Sequence, residues 1–226
     1  PPPVEPRPAG HRVTDPATPG GEPVTDLARA VVQRMTARGL TLAVAESLTG
    51  GLVCAALTDV PGSSAVLRGG VVSYATELKA SALGVDAGRL ARTGPVDGLV
   101  AEQMALGAAA WGGADLAVAT TGVAGPGPAD GHPAGTVFVG LAWRGDGGEA
   151  AEGGAGEHQA THRAFHFPGD RAAVRRQSVG AALQEVLRQL DLADPLGSRR
   201  PDGPDHRRDA GGAHGDHSTR GRRRPA

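Results

Sequence analysis

TLAVAESLTGGLVCAALTDV, residues 41–60, decides how this chain folds. Thr41–Ala45 is a short apolar run of strand length, and Glu46 and Ser47 break it. From Ser47 the residues read as a helix whose first turn carries two glycines, Gly50 and Gly51. Upstream, residues 25–38 place Leu27, Val31, Val32 and Met35 on one helical face, with Thr25 or Asp26 as N-cap and Gly39 as stop. Downstream the alternation continues: strand over 69–75, short helix through Leu78 to Leu83, capped helix over 97–111, strand over 114–122 and strand over 135–143. A Gly/Glu/Ala-rich excursion (145–157) then precedes a last strand, HRAFHF (162–167), and a final helix over about 170–190. Strands alternating with helices indicate a layered α/β domain. The last two strands follow one another with only a loop between them and can pair antiparallel. The fold predicted is therefore a single three-layer α/β/α domain with a mixed, mainly parallel sheet.

That domain is expected over residues 24–194. Residues 1–23 are rich in Pro and Gly with little apolar content, and residues 195–226 carry eight arginines against four aspartates with no hydrophobic period. Neither segment repays the entropy of ordering, so both are expected to be disordered tails. The histidines of the second (His206, His214, His217) have no supporting fold for a metal site. A net charge of −1 argues against a field that attracts nucleic acid or membrane. The single cysteine, Cys54, sits in an apolar run and reads as a small core residue. No stretch reaches the length of a membrane span and the start lacks the apolar core of a signal peptide, so the expected location is the cytoplasm.

The chain has twenty-two arginines and one lysine, Lys79, five residues after its one tyrosine, Tyr74. Composition alone favours a solvated leftover. Arginine stays charged, however, whereas a partly buried lysine can act as base or nucleophile. Three loops after strands bear on the choice, because ligands bind at the carboxyl ends of strands in such folds. Ser47 in AESLTGG (45–51) can cap a helix or act as a nucleophile beside free N–H groups. SYATELK (73–79) holds Tyr74 and Lys79. TTGVAGPG (120–127) sets two hydroxyls before a Gly-rich turn, and alone it matches neither a phosphate loop nor a dinucleotide fingerprint. Together, a serine, a tyrosine, a lysine and a hydroxyl–glycine loop are the parts of a hydrolase that uses lysine as base. No histidine of the core completes a triad, and no cluster has metal-ligand spacing.

The stretches 45–85, TGPV (93–96) with the helix through Ala101–Met104, TTGVAGP (120–126), PAGTVFV (133–139) and FPGDRAAVRRQSV (167–179) resemble, in this order, the C-terminal domain family of competence/damage-inducible protein A (CinA). The resemblance implies a nicotinamide-nucleotide amidohydrolase, which converts nicotinamide mononucleotide to nicotinate mononucleotide and ammonia and recycles a by-product of NAD consumption. It places the family's serine on Ser47, tyrosine on Tyr74, lysine on Lys79 and loop hydroxyl on Thr121. Substrate contacts are expected from Glu46, Thr49, Gly50 and Gly51, from Gly122 and Gly125, and from Arg171 or Arg175, with Arg171 preferred for the phosphate. The oxyanion is expected near the Gly50 and Gly51 N–H groups, and Tyr74 is expected to bond Ser47 or Lys79. No metal or organic cofactor is implied.

Leu48 stands where the family has cysteine, Asp97 where it has a cap serine, and His132 where it has a lysine that can lie near the substrate. The N-terminal nucleotide-pyrophosphatase portion common in the family is not matched, which suggests the stand-alone form, and a homodimer is expected. The alternative is a non-catalytic nucleotide-binding or regulatory domain linked to competence or DNA damage.

Overall fold

Leu42–Glu46 forms the inner strand β1, and all five of its residues are buried. In the computed structural model, which describes residues 22–144 and 158–193, a continuous apolar run is what a strand covered on both faces requires. The helix α1 (Val24–Arg38) precedes it, and α2 (Leu52–Thr58), β2 (Leu67–Val72), α3 (Thr76–Leu83) and α4 (Ala87–Thr93) follow. Then come α5 (Gly98–Gly112), β3 (Leu116–Gly122), β4 (Thr136–Arg144), β5 (His158–His166) and α6 (Arg171–Leu192). The sheet order is β2-β1-β3-β4-β5. β1 pairs parallel with β2 and β3, whereas β4 is antiparallel to both β3 and β5, so four of the five strands point the same way. The mixed, mainly parallel α/β sheet expected from the sequence is thus the one observed.

Two cores cover the sheet. One face packs Leu27, Val31 and Met35 of α1 with Val179, Leu183 and Val186 of α6 against Leu42, Val44 and Val118. On the other, Val100, Met104, Ala105 and Ala108 of α5 meet Ala43, Ala45, Ala117 and Ala119. Small residues bring α5 very close to the sheet. A Cβ on Gly140 would lie 2.1 Å from the Ala101 carbonyl oxygen, and α5 approaches helix α3 as tightly, since a Cβ on Gly107 would lie 1.9 Å from the Leu83 carbonyl oxygen. Among the described residues no helix is long and apolar enough to cross a membrane.

Several boundaries differ from expectation, each for a local reason. α1 begins at Val24 after Pro23, without a side-chain cap, and Asp26 instead pairs with Arg29 at 2.6 Å. Ser47 does not cap α2. That helix starts five residues later, behind a turn with left-handed Gly50 and Gly51. β2 stops at Val72, so Ser73–Ala75 is loop rather than strand, and β5 begins at His158, four residues before its expected start. α4 escaped the sequence reading because its seven residues include a glycine and show no apolar period, although Asp86 caps it from the Arg89 N–H at 2.6 Å. Asp97 caps α5 as expected, accepting from Leu99 and Val100 N–H. The tail stretches 1–21 and 195–226 and the excursion at 145–157 lie outside the described residues.

Candidate active site

The parallel strands β1, β2 and β3 all end on one side of the sheet, and the chain leaves β1 into α2 on one face but β2 into α3 on the other. In open α/β sheets, the crevice outside such a divergence is where ligands sit. Ser47 follows β1 directly, and its N–H donates to the Thr120 carbonyl of β3 at 3.0 Å, which pins the residue across the crevice. A cavity of about 300 Å³ opens there. Ser47, Lys79 and Thr121 line it together with Tyr74, Arg171, Asp130, Pro95–Val96 and the 122–129 loop.

Lys79 is 1% exposed, a rare condition for a lysine. Its Nζ donates to the Ser73 carbonyl at 2.7 Å and to Ser47 Oγ at 3.1 Å. The end of β2 at Val72 makes the first contact possible, because a continued strand would have tied up that carbonyl. Burial pulls the ammonium down to about 8 from 10.5, against the opposing influence of the Asp130 and Glu77 carboxylates. The serine–lysine pair expected from the sequence is therefore within hydrogen-bond reach.

The loop between them is held from two sides. The buried Glu46 carboxylate accepts from the Gly51 N–H at 2.8 Å, the Val53 N–H at 3.1 Å and the Cys54 N–H at 2.9 Å. It thereby satisfies the orphan donors at the start of α2. Arg175 donates to the Leu48 carbonyl at 3.0 Å and the Thr49 carbonyl at 2.8 Å. Burial, with Glu46 beside it, pushes the Cys54 thiol up to about 12, so this half-buried side chain, packed against the core, stays a neutral thiol.

These contacts correct four sequence-based assignments. Glu46 and Thr49 are fully buried and line no part of the cavity; the Thr49 hydroxyl pairs with that of Thr120 at 2.7 Å. The Gly51 N–H is taken by Glu46 and the Gly50 N–H by the Ser47 carbonyl at 3.1 Å, so neither is available to an oxyanion. Arg175 braces the Ser47 loop, whereas Arg171 lines the cavity. Tyr74 bonds neither Ser47 nor Lys79. It is 58% exposed, and its hydroxyl accepts from Arg171 Nη2 at 2.7 Å while Arg171 Nη1 donates to the Gly125 carbonyl at 3.0 Å.

The Thr121 hydroxyl is fixed by the Pro95 carbonyl at 2.7 Å, and Gly122 and Gly125 belong to the cavity wall. His132 packs edge-on against Phe138 and is not among the lining residues. Sequence reasoning missed Asp130, Leu48 and the Ser73 carbonyl. Only Asp130 carried a readable signal, the Asp-Gly dipeptide of a tight turn. Among the described residues, no group of three metal-ligating side chains occurs.

Comparison with known proteins gives matches over nearly all of the described residues. The family model for the CinA C-terminal domain matches residues 24–190. A CinA-like protein of Frankia casuarinae is 48% identical over 160 residues, covering 71% of this chain and 34% of its own length. A CinA-like protein of Geobacter sulfurreducens is 43% identical over 162 residues, covering 71% and 36%. The chain thus spans about a third of the length of these curated relatives. Among solved structures, a competence-damaged protein (CinA) superfamily protein from Klebsiella pneumoniae superposes with a TM-score of 0.68 at 34% identity, covering 76% of this chain and 99% of that one. The competence/damage inducible protein CihA of Agrobacterium tumefaciens gives 0.63 at 36% identity, covering 74% and 95%.

Proposed function

This chain belongs to the CinA C-terminal domain family, and from that premise we propose that it is an amidohydrolase that releases ammonia from the carboxamide of nicotinamide mononucleotide. The observation that carries the reading is the buried Lys79 Nζ, 3.1 Å from Ser47 Oγ at a cavity of about 300 Å³. A lysine held near 8 is about one-tenth neutral at pH 7, enough to serve as a base. In the neutral form, an N–H still donates to the Ser73 carbonyl while the nitrogen lone pair accepts the Ser47 hydroxyl proton.

The Ser47 oxygen then attacks the carboxamide carbon, and the carbonyl π electrons move onto oxygen. The Leu48 N–H donates to no acceptor among the described residues, and in this scheme it meets the developing oxyanion. A preorganised N–H is worth roughly 10²–10³ in rate at such a place. Thr121, fixed by Pro95, positions the amide. Lys79 returns its proton to the amide nitrogen, the C–N bond breaks, and ammonia leaves a nicotinoyl ester on Ser47. Water, deprotonated by Lys79, cleaves the ester to the carboxylate and restores the serine. Arg171 offers a planar guanidinium for the 5′-phosphate.

Hydroxylamine added during turnover tests the covalent step. The nicotinoyl ester should be intercepted as the hydroxamate, and Ser47→Ala should yield neither hydroxamate nor ammonia. Undiminished ammonia release from Ser47→Ala would remove the serine from the chemistry.

A further inference from the structure

The cavity wall contains three charged residues, Lys79, Arg171 and Asp130. The two cations are engaged: Lys79 with Ser73 and Ser47, Arg171 with Gly125 and Tyr74. Among the described residues the Asp130 carboxylate makes no hydrogen bond or ion pair. Its backbone, by contrast, is firmly set. The Ala129 N–H donates to the His132 carbonyl at 3.0 Å and the His132 N–H donates back to that of Ala129 at 2.9 Å. Between them Asp130 (φ 50°) and Gly131 (φ 78°) both take the left-handed conformation, as the central pair of a type I′ turn does. Asp130 is the one non-glycine residue of positive φ among the described residues. A tight turn therefore presents an unpaired carboxylate to the same cavity that Ser47 and Lys79 share.

We propose that Asp130 is a specificity-determining residue, selecting amides whose ring carries a permanent positive charge over their neutral counterparts. The inference rests on the reading of the site as acting on a nicotinamide nucleotide. A ligand bearing only negative charge would gain at Arg171 and lose at Asp130. A pyridinium nucleotide is anionic at the phosphate and cationic at the ring, so it complements both side chains. The neutral dihydropyridine form of the same nucleotide keeps the ribose phosphate but has nothing to offer the carboxylate. Because Asp130 is solvent-exposed, the discrimination is modest, about fivefold, as expected for a partly screened ion pair.

The test compares Ser47→Ala protein, in which turnover is blocked, with the Ser47→Ala/Asp130→Asn double variant. Asparagine suits the left-handed turn position, so the fold is retained, and a thermal melt checks this. Each protein is titrated calorimetrically with nicotinamide mononucleotide and with its 1,4-dihydro form. Asp130→Asn should weaken the charged nucleotide about fivefold and leave the dihydro form unchanged. Equal effects on both ligands, or none, would overturn the selectivity role while leaving the amidohydrolase reading intact. Failure of both nucleotides to bind would overturn it as well. Ammonia release by the wild-type chain, measured in parallel, then tells whether the amidohydrolase reading falls with it.

Discussion

Replacing Lys79 with methionine should expose how much stability the fold gives up to keep that amine in place. Methionine is close to lysine in length, so little cavity results. The fall from 10.5 to about 8, at about 1.4 kcal/mol per pH unit, amounts to about 3 kcal/mol of disfavoured protonation. Against this, the variant loses the Nζ bonds to Ser73 and Ser47, each worth about 1 kcal/mol net. Near pH 7 the two proteins should thus differ by only about 1 kcal/mol, with the variant the more stable. The pH dependence is the cleaner signature. Below about 8 both folded and unfolded wild type hold the proton and the full penalty applies. Between 8 and 10.5 the unfolded chain binds more protons than the folded one, so wild-type stability rises with pH relative to the variant. Above 10.5 the penalty is gone.

Urea unfolding of both proteins at several pH values, followed by Trp111 and Trp143 fluorescence, measures the difference directly. It should shift by about 3 kcal/mol across that window, in favour of the wild type as pH rises. A flat difference would mean that Lys79 titrates as an ordinary lysine, and the argument for a poised base would fail.

Other consequences can be checked separately. The kcat/KM for nicotinamide mononucleotide should climb with pH and level off above about 8, as Lys79 loses its proton; in Asp130→Asn the half-point should move to lower pH, because that carboxylate supports the ammonium. A rate that falls over the same range would contradict the base role. Glu46→Gln leaves one oxygen to serve three N–H donors, so it should cost about 1–3 kcal/mol in chemical denaturation and lower kcat more than it alters KM by loosening Ser47. Gly140→Ala would drive a methyl into the Ala101 carbonyl, and a loss of about 1–3 kcal/mol in thermal unfolding is expected.

Much of this architecture was legible because local patterns and tertiary demands agree. The apolar runs of β1 and β3 are buried on both faces, and Asp97 and Gly39 stand where a helix start and stop need them. The pairing of Ser47 with Lys79, thirty-two positions apart, was suggested by residue rarity and by resemblance, since no local rule brings them together. What the sequence hid are backbone contacts. Nothing in AESLTGG indicates that the glutamate folds back under its own loop while the serine stays free of the helix. Likewise, whether Arg171 or Arg175 faces the cavity depends on the facing of α6 over the Ser47 loop, and both arginines lie on its N-terminal turns. The resemblance places the family's tyrosine on Tyr74 but does not show its partner: beyond the early end of β2 its hydroxyl meets Arg171 rather than Ser47 or Lys79.

The most direct trial of the central claim is the rate of ammonia release from nicotinamide mononucleotide by wild type and by Lys79→Arg. Arginine keeps the positive charge but cannot give up its proton near neutral pH. Removal of a general base typically costs about 10²–10⁴ in rate. The expected result is steady turnover by the wild type and a fall of at least about 100-fold in the variant, with the fold intact by circular dichroism. Turnover by Lys79→Arg within a few fold of wild type would contradict the serine–lysine account.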